Sequence, residues 1–243
     1  MKISQLERLR ASEEGFKETT FSLEKSNLNQ LDQDFSPFNN KSFRIWLEEL
    51  ADKEGGRILE IGGGTNQVAA QEILEQFPQL NFWGVEIRQI SGDVKQKLLS
   101  SGRYRLLEMG LSQALNKSEL NQIKFSLIFA HNVLNHLPNP FFVIENCYQL
   151  LADNGLIFVN EILIYEEQWE KIVSFLQDQG YRFSWREKET PSNLKKKGIV
   201  SISFTIQKTK RTINIPIVQG DQLTDYSGNP LGPYELFFKS SFS

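Results

Sequence analysis

At 243 residues with a formal net charge of −3, the chain is long enough for one α/β domain with additions, and it offers no overall basic field for a polyanion. Its single cysteine, Cys147, excludes an internal disulfide; the residue falls on an apolar helix stripe, which reads as a buried thiol rather than a nucleophile. No apolar run approaches membrane-spanning length and Met1 to Arg8 is too charged for a secretory signal, so a cytoplasmic protein without a membrane partner is expected.

Residues 1–51 read as a leading helix, a polar link from Asn27 to Asp34, and a second helix in which Phe43, Trp46, Leu47 and Leu50 share a face. Phe16, Phe21, Phe35 and Phe38 fall in the less regular parts between, where they either pack the segment onto its neighbour or line a pocket.

The run Arg57 to Asn66 then reads as a buried strand emptying into a glycine loop, with Glu60 near its exit. Gly62 and Gly64 allow a sharp turn and close approach of backbone to a ligand. Val68, Ile73, Leu74 and Phe77 lie near one face of a following helix. Asn81 to Val85 is the next strand and Glu86 stands at its end, at about the spacing of roughly 20 residues expected for a ribose-binding acid in a βαβ unit. A dinucleotide fingerprint would need a third glycine where Gln67 stands, so that motif fails.

At these residues the chain resembles the class I S-adenosylmethionine-dependent methyltransferases. The family's acid-x-Gly-x-Gly-x-Gly motif is matched by Glu60, Gly62 and Gly64, with Asn66 in place of the third glycine; asparagine tolerates the positive φ that such a loop uses. The resemblance implies S-adenosyl-L-methionine as cofactor, held by Glu60, Gly62, Gly63, Gly64, Glu86, Ile87, Glu108, Met109, His131 and Asn132. Glu108 and Met109 follow a third strand, Tyr104 to Leu107, where the family contacts adenine: Glu108 as acceptor from the amine, Met109 or Leu107 over the ring. The alternative is an exposed acid and a core methionine.

A fourth strand, Phe125 to Ala130, ends at His131-Asn132, in the place and wording of the family's fourth motif. Val143, Ile144, Cys147, Leu150 and Leu151 form a helical stripe, Asp153-Asn154-Gly155 turns the chain, and Leu156 to Asn160 is a fifth strand. Asp153 and Asn154 suit a turn better than a magnesium pair, and no metal is expected. Trp169, Ile172, Val173 and Leu176 mark another helix, followed by strands Tyr181 to Arg186 and Ile199 to Gln207 around a solvated loop from Glu187 to Gly198.

The expected fold is therefore α/β: a doubly wound, mostly parallel seven-stranded sheet with a terminal antiparallel hairpin. Residues 52–207 form the cofactor-binding domain, 1–51 a helical lid shaping the acceptor pocket, and 208–243 an extension packed on the domain, apolar through Ile213, Ile215, Ile217 and Tyr234 to Phe238.

The resemblance implies methyl transfer to a small molecule or peptide, with oxygen the expected acceptor atom. His131 is the candidate base because strand carboxyl ends face the ligand crevice; it equally suits a hydrogen bond to substrate or backbone, and a carboxylate acceptor needs no base. His136 is expected beneath the site. Asn139-Pro140-Phe141-Phe142 comes too late after the fourth strand to be the motif of base-modifying amino methyltransferases. Two alternatives remain: an RNA methyltransferase using Lys195, Lys196, Lys197, Lys208, Lys210 and Arg211, and a non-catalytic cofactor-binding module.

Overall fold

The computed structural model describes residues 27–39, 42–53, 56–115, 118–134, 140–190, 192–208 and 235–236. Two helices open it, α1 (Leu28–Asn39) and α2 (Phe43–Ala51). The polar link read from Asn27 to Asp34 is thus the start of a helix. Its apolar residues Leu28, Leu31 and Phe35 are spaced i, i+3 and i+7 among polar neighbours, and all three are buried. The Leu28 N–H donates to Glu72 at 2.6 Å, which caps the helix from outside its own sequence. Ser42 caps α2 by accepting from the Ile45 N–H at 3.2 Å.

The alternating part follows: β1 (Arg57–Ile61), α3 (Val68–Gln76), β2 (Asn81–Glu86), α4 (Gly92–Ser100), β3 (Tyr104–Glu108), α5 (Leu111–Leu115), α6 (Ser118–Asn121) and β4 (Phe125–His131). After them come α7 (Pro140–Leu150), β5 (Leu151–Tyr165), α8 (Glu166–Asp178), β6 (Arg182–Lys188), α9 (Ser192–Lys195), β7 (Ile199–Gln207) and β8 (Glu235–Leu236). The sheet runs β3-β2-β1-β4-β5-β7-β6-β8. β1 to β5 pair in parallel, and β7 is inserted antiparallel between β5 and β6.

Seven strands stand where the sequence put them, and β8 adds an eighth from the carboxyl-terminal extension, paired antiparallel to β6. The solvated loop after Glu187 contains the single turn α9, and β6 extends through Lys188. The turn at Asp153-Asn154-Gly155 lies inside β5: the register passes from Phe125↔Leu151 to Leu127↔Leu156, so the chain bulges there, with Asn154 at φ 61°.

Alternation along the strands divides the core in two. Leu127, Phe129, Leu156 and Phe158 point to the face covered by α1, α2 and α3. Ile128, Ala130, Ile157 and Val159 point to the face covered by α7 and α8. Phe35 packs edge-on against Phe43 and Phe158, with ring centroids 5.2 and 5.3 Å apart, so of the two roles open to it in the sequence it has the packing one. Phe43, Leu47 and Leu50 of α2 are buried as their spacing requires.

Cys147 is buried on the other face, and burial pushes its thiol up to about 12. The folded protein is accordingly expected to resist thiol reagents at neutral pH and to react with one equivalent on unfolding. Titration with a chromogenic disulfide, with and without denaturant, reads both numbers; rapid labelling of native protein would contradict the buried placement.

Candidate functional site

The carboxyl ends of β1, β2, β3 and β4 converge on the glycine loop. The Gly62 N–H donates to the Val85 carbonyl at 2.8 Å, and the chain then leaves the sheet with φ +69° at Gly62 and +77° at Gly64. A Cβ on Gly62 would stand 2.7 Å from Val133 Cγ2, so the loop closes against the segment just beyond β4. Gly62→Ala is therefore expected to cost about 1–2 kcal/mol from the left-handed backbone alone, with the contact adding to it. Thermal melting checks this, and an unchanged midpoint would mean that the loop is laxer than its packing indicates.

The left-handed residue that follows is not Asn66. It is Gln67, at φ 47° and fully buried, while Asn66 is exposed. Gln67 is held in that conformation from two sides: its Nε2 donates to the Gly64 carbonyl at 2.7 Å, and its Oε1 accepts from the Tyr104 hydroxyl. Gly84 makes room for that hydroxyl, since a Cβ there would collide with it. Burial, then the charges of Glu60, Glu86 and Glu108, hold the Tyr104 phenol far above its ordinary range, so it stays a donor. Gln67, Tyr104 and Gly84 were not read from the sequence as site residues. They lie on three separate elements, and only their pairing brings them under the loop.

Three acids stand at these strand ends, Glu60 and Glu86 against the loop and Glu108 in register beside Glu86. Glu60 is buried, and its carboxylate and the Gln67 amide both face Gly63, where a Cβ would stand 2.6 and 2.7 Å from them. Glu86 is buried; its Oε2 accepts the Gly64 N–H at 2.7 Å, and its Oε1 accepts the N–H and Nε–H of Arg88, each at 3.1 Å. Glu108 accepts the Ile90 N–H at 3.1 Å on one oxygen and Lys95 on the other. The hydrogen bond from Lys95 holds its carboxyl below the usual carboxylate range. Ile87 and Met109 are half-buried beside these acids, and the Met109 N–H turns back to the Leu107 carbonyl at 2.9 Å.

His131 and Asn132 sit where β4 ends, both buried. Asn132 takes φ 50° and donates its N–H to the Asn160 carbonyl at 2.8 Å. His131 lies beside Asn160 in register, and its Nδ1 is 3.1 Å from Asn160 Nδ2. Around Asn160 the structure assembles a polar cluster that also draws on α1, β6 and β7. Asn160 Nδ2 donates to Asp34 of α1 at 2.6 Å, and Asn160 Oδ1 accepts from Ser203 Oγ at 2.7 Å and Lys188 Nζ at 3.1 Å. Lys188 also pairs with Asp34 at 2.7 Å, with Arg186 3.8 Å from the same oxygen and Gln30 donating to the other at 3.2 Å. Of this cluster only His131 was legible in the sequence. Residues 135–139, with His136 and Asn139, lie outside the described residues.

These positions fit the cofactor implied by the motif. An ionised carboxylate has about four lone-pair sites, and three of those on Glu86 are taken, which leaves capacity toward a ribose hydroxyl. The strand ends place the loop, Glu86 and Glu108 on one edge, in the crevice where open α/β sheets take ligands.

Comparison with known proteins agrees. Residues 59–157 match the model of a family described as "Methyltransferase domain". The ubiquinone biosynthesis O-methyltransferase of Dechloromonas aromatica is 24% identical over 140 residues, 53% of this chain and 55% of that protein. Its counterpart from Photobacterium profundum is 25% identical over 142 residues, 54% of this chain and 56% of that protein. The chain thus matches about half the length of these curated relatives. Among solved structures, the [4+2]-cyclase SpnF superimposes with a TM-score of 0.52 at 15% identity, covering 84% of this chain and 93% of that one. The plantazolicin methyltransferase BpumL, in complex with a pentazolic desmethylPZN analog and SAH, does so with a TM-score of 0.50 at 10% identity, covering 85% and 97%. Both share the fold. Residues 59–157 thus carry a methyltransferase domain, and with its glycine loop and strand order the chain resembles the class I S-adenosylmethionine-dependent methyltransferases.

Proposed function

We propose that the protein transfers a methyl group from S-adenosyl-L-methionine to an oxygen of a small molecule or peptide. The observation that carries this reading is the contact of Gly62 with Val133, two residues past His131. It sets the cofactor loop and the buried His131–Asn160 pair side by side on one edge of the sheet.

In this reading Glu60, Gly62, Gly63, Gly64, Glu86 and Ile87 hold the ribose and amino-acid parts, Glu108 and Met109 the adenine, and Asn132 the start of the loop after β4. When bound, the cofactor supplies a methyl on a sulfonium, already a good electrophile. The chain's task is then to align the acceptor and exclude water, for which proximity can supply roughly 7–11 kcal/mol. His131 faces the acceptor. Asp34 of α1, reaching into the His131 cluster, supports an acceptor-shaping role for the amino-terminal segment, of which residues 1–26 lie outside the described residues, as do 209–234 and 237–243 of the carboxyl-terminal extension. Oxygen is favoured as acceptor atom by the names of the two curated relatives.

An RNA acceptor finds less support: Lys195 is paired with Glu187 at 2.9 Å, Lys208 donates to the Tyr148 and Leu151 carbonyls, and Lys210 and Arg211 lie outside the described residues. No helix among the described residues is long and apolar enough to cross a membrane, and a cytoplasmic location is part of the same proposal. The test is formation of S-adenosylhomocysteine and a product heavier by one methylene, followed by mass spectrometry, with small-molecule, peptide and RNA fractions as acceptors. Transfer confined to RNA, and falling steeply with salt, would favour the nucleic-acid reading. Tight cofactor binding without transfer to any fraction would favour a module that does other work on this fold.

A further inference from the structure

The geometry points to a second ligand site at the amino ends of β1, β2 and β3, the edge of the sheet opposite the glycine loop, which takes a small flat-ringed anion bearing a phosphate or a carboxylate. The site uses no residue of the cofactor crevice and is independent of the transferase reading.

Strand alternation builds it. Leu59, Ile61 and Val85 are buried on one face of the sheet, with Trp83 and Leu107 packed against them. Two residues earlier along each strand, the same face carries Arg57, Asn81 and Arg105. Register sets Arg57 beside Asn81, and Trp83 beside Arg105. The connection from β3 to β4 over this face contains two short helices, α5 and α6, whose Leu111, Ala114 and Leu120 join the apolar rows. The polar rows below stay open as a cavity of about 550 Å³, lined chiefly by Arg57, Asn81, Trp83, Arg103, Arg105 and Gln122. That is the size of a small-molecule site.

Three of these side chains are guanidinium groups, and no carboxylate lines the cavity among the described residues, in a chain whose formal net charge is −3. Their duties differ. Arg103 serves the fold: Nη2 and Nη1 donate to the Leu74 and Phe77 carbonyls at 3.2 and 3.4 Å and close the end of α3. Arg105 is exposed and makes only long contacts from Nη1, to the Gly102 and Tyr104 carbonyls at 3.3 and 3.4 Å. Arg57 is exposed and has, among the described residues, neither hydrogen bond nor ion pair. Two planar forks are therefore available, the shape that takes phosphate or carboxylate oxygens in pairs. Trp83 lies between their strands, half-buried and packed against Phe125 with ring centroids 5.4 Å apart, so its indole is held in place against a flat ligand. A solvated strand end accounts for the charges; the concave wall and the fixed indole between them are what a ring-bearing anion uses.

Calorimetric titration of the full-length protein with phenyl phosphate, benzoate, inorganic phosphate and benzyl alcohol, with and without saturating S-adenosylhomocysteine, tests this. Phenyl phosphate or benzoate is expected to bind at one site per chain, equally well in both conditions, and the tighter of the two names the head group. Arg57→Gln, a change at an exposed residue, should weaken that binding about tenfold or more, as for loss of hydrogen bonds to a charged group, and Arg105→Gln likewise. Trp83→Leu should bring phenyl phosphate down to the affinity of inorganic phosphate. Equal affinity of the wild type for these two overturns the ring contact. No binding of either ring anion at about 10 mM, displacement by S-adenosylhomocysteine, binding of benzyl alcohol as tight as that of the anions, or affinity unchanged in Arg57→Gln overturns the site. Binding of single-stranded RNA far tighter than of either anion, and falling steeply with salt, overturns the small-ligand class. None of these readouts involves methyl transfer, so the site and the transferase reading stand or fall separately.

Discussion

Phe35→Ala is expected to lower stability by about 3–5 kcal/mol, the range for truncating a fully buried phenylalanine. The ring sits between Phe43 of α2 and Phe158 of β5, at the point where both amino-terminal helices meet the sheet. Among the described residues, Leu28, Leu31 and Leu47 are themselves buried in the same cluster and are not available to swing in. The midpoint of urea unfolding, with an unchanged slope, measures the loss. A drop below about 1 kcal/mol would mean that α1 is loosely laid on the domain rather than part of its core. The neighbouring Asp34 makes the result informative about the site as well: wherever the Phe35 anchor weakens, the carboxylate that orders Asn160 weakens with it.

Glu86→Ala should weaken cofactor binding by about 1.5–3 kcal/mol, roughly ten- to a hundredfold, the range for hydrogen bonds to a charged group. Two effects combine here. The acceptor proposed for ribose is gone, and the Gly64 N–H, which Glu86 holds at 2.7 Å, loses its partner inside the glycine loop. Glu86→Gln separates them, because the amide oxygen can still accept from Gly64 while the charge is removed. Calorimetric titration with S-adenosylhomocysteine reads both variants. Equal affinity for Glu86→Ala and wild type would reduce Glu86 to a brace for Arg88 and the loop.

What the sequence made legible follows from how each signal is encoded. The glycine loop, Glu86 and the exit of β4 are local: a strand, a turn and an acid in consecutive positions, which periodicity and spacing expose. The alternating βα order was legible for the same reason. The helix α1 was not, since Asn27, Asn29, Gln30, Asp32 and Gln33 read as a polar linker, and its stripe of Leu28, Leu31 and Phe35 is narrow. The left-handed turn was assigned to Asn66 on intrinsic preference; burial and two side-chain hydrogen bonds give it to Gln67 instead. The cluster around Asn160 joins residues 34, 131, 160, 188 and 203, and no spacing rule connects positions so far apart. Only the return of β7 into the sheet brings them together.

That return sets an order of events during synthesis. β6 reaches the parallel part of the sheet only through β7, which pairs with β5 on one side and β6 on the other. A nascent chain that has emerged as far as residue 198 can pair β1 to β5, yet β6 has no strand to join. Ser203 is still missing, and Lys188 has no ladder to carry it to Asp34. Domains tend to form progressively as they leave the ribosome, so in this chain the glycine loop can take shape well before the Asn160 cluster, whose last member, Ser203, arrives only with β7.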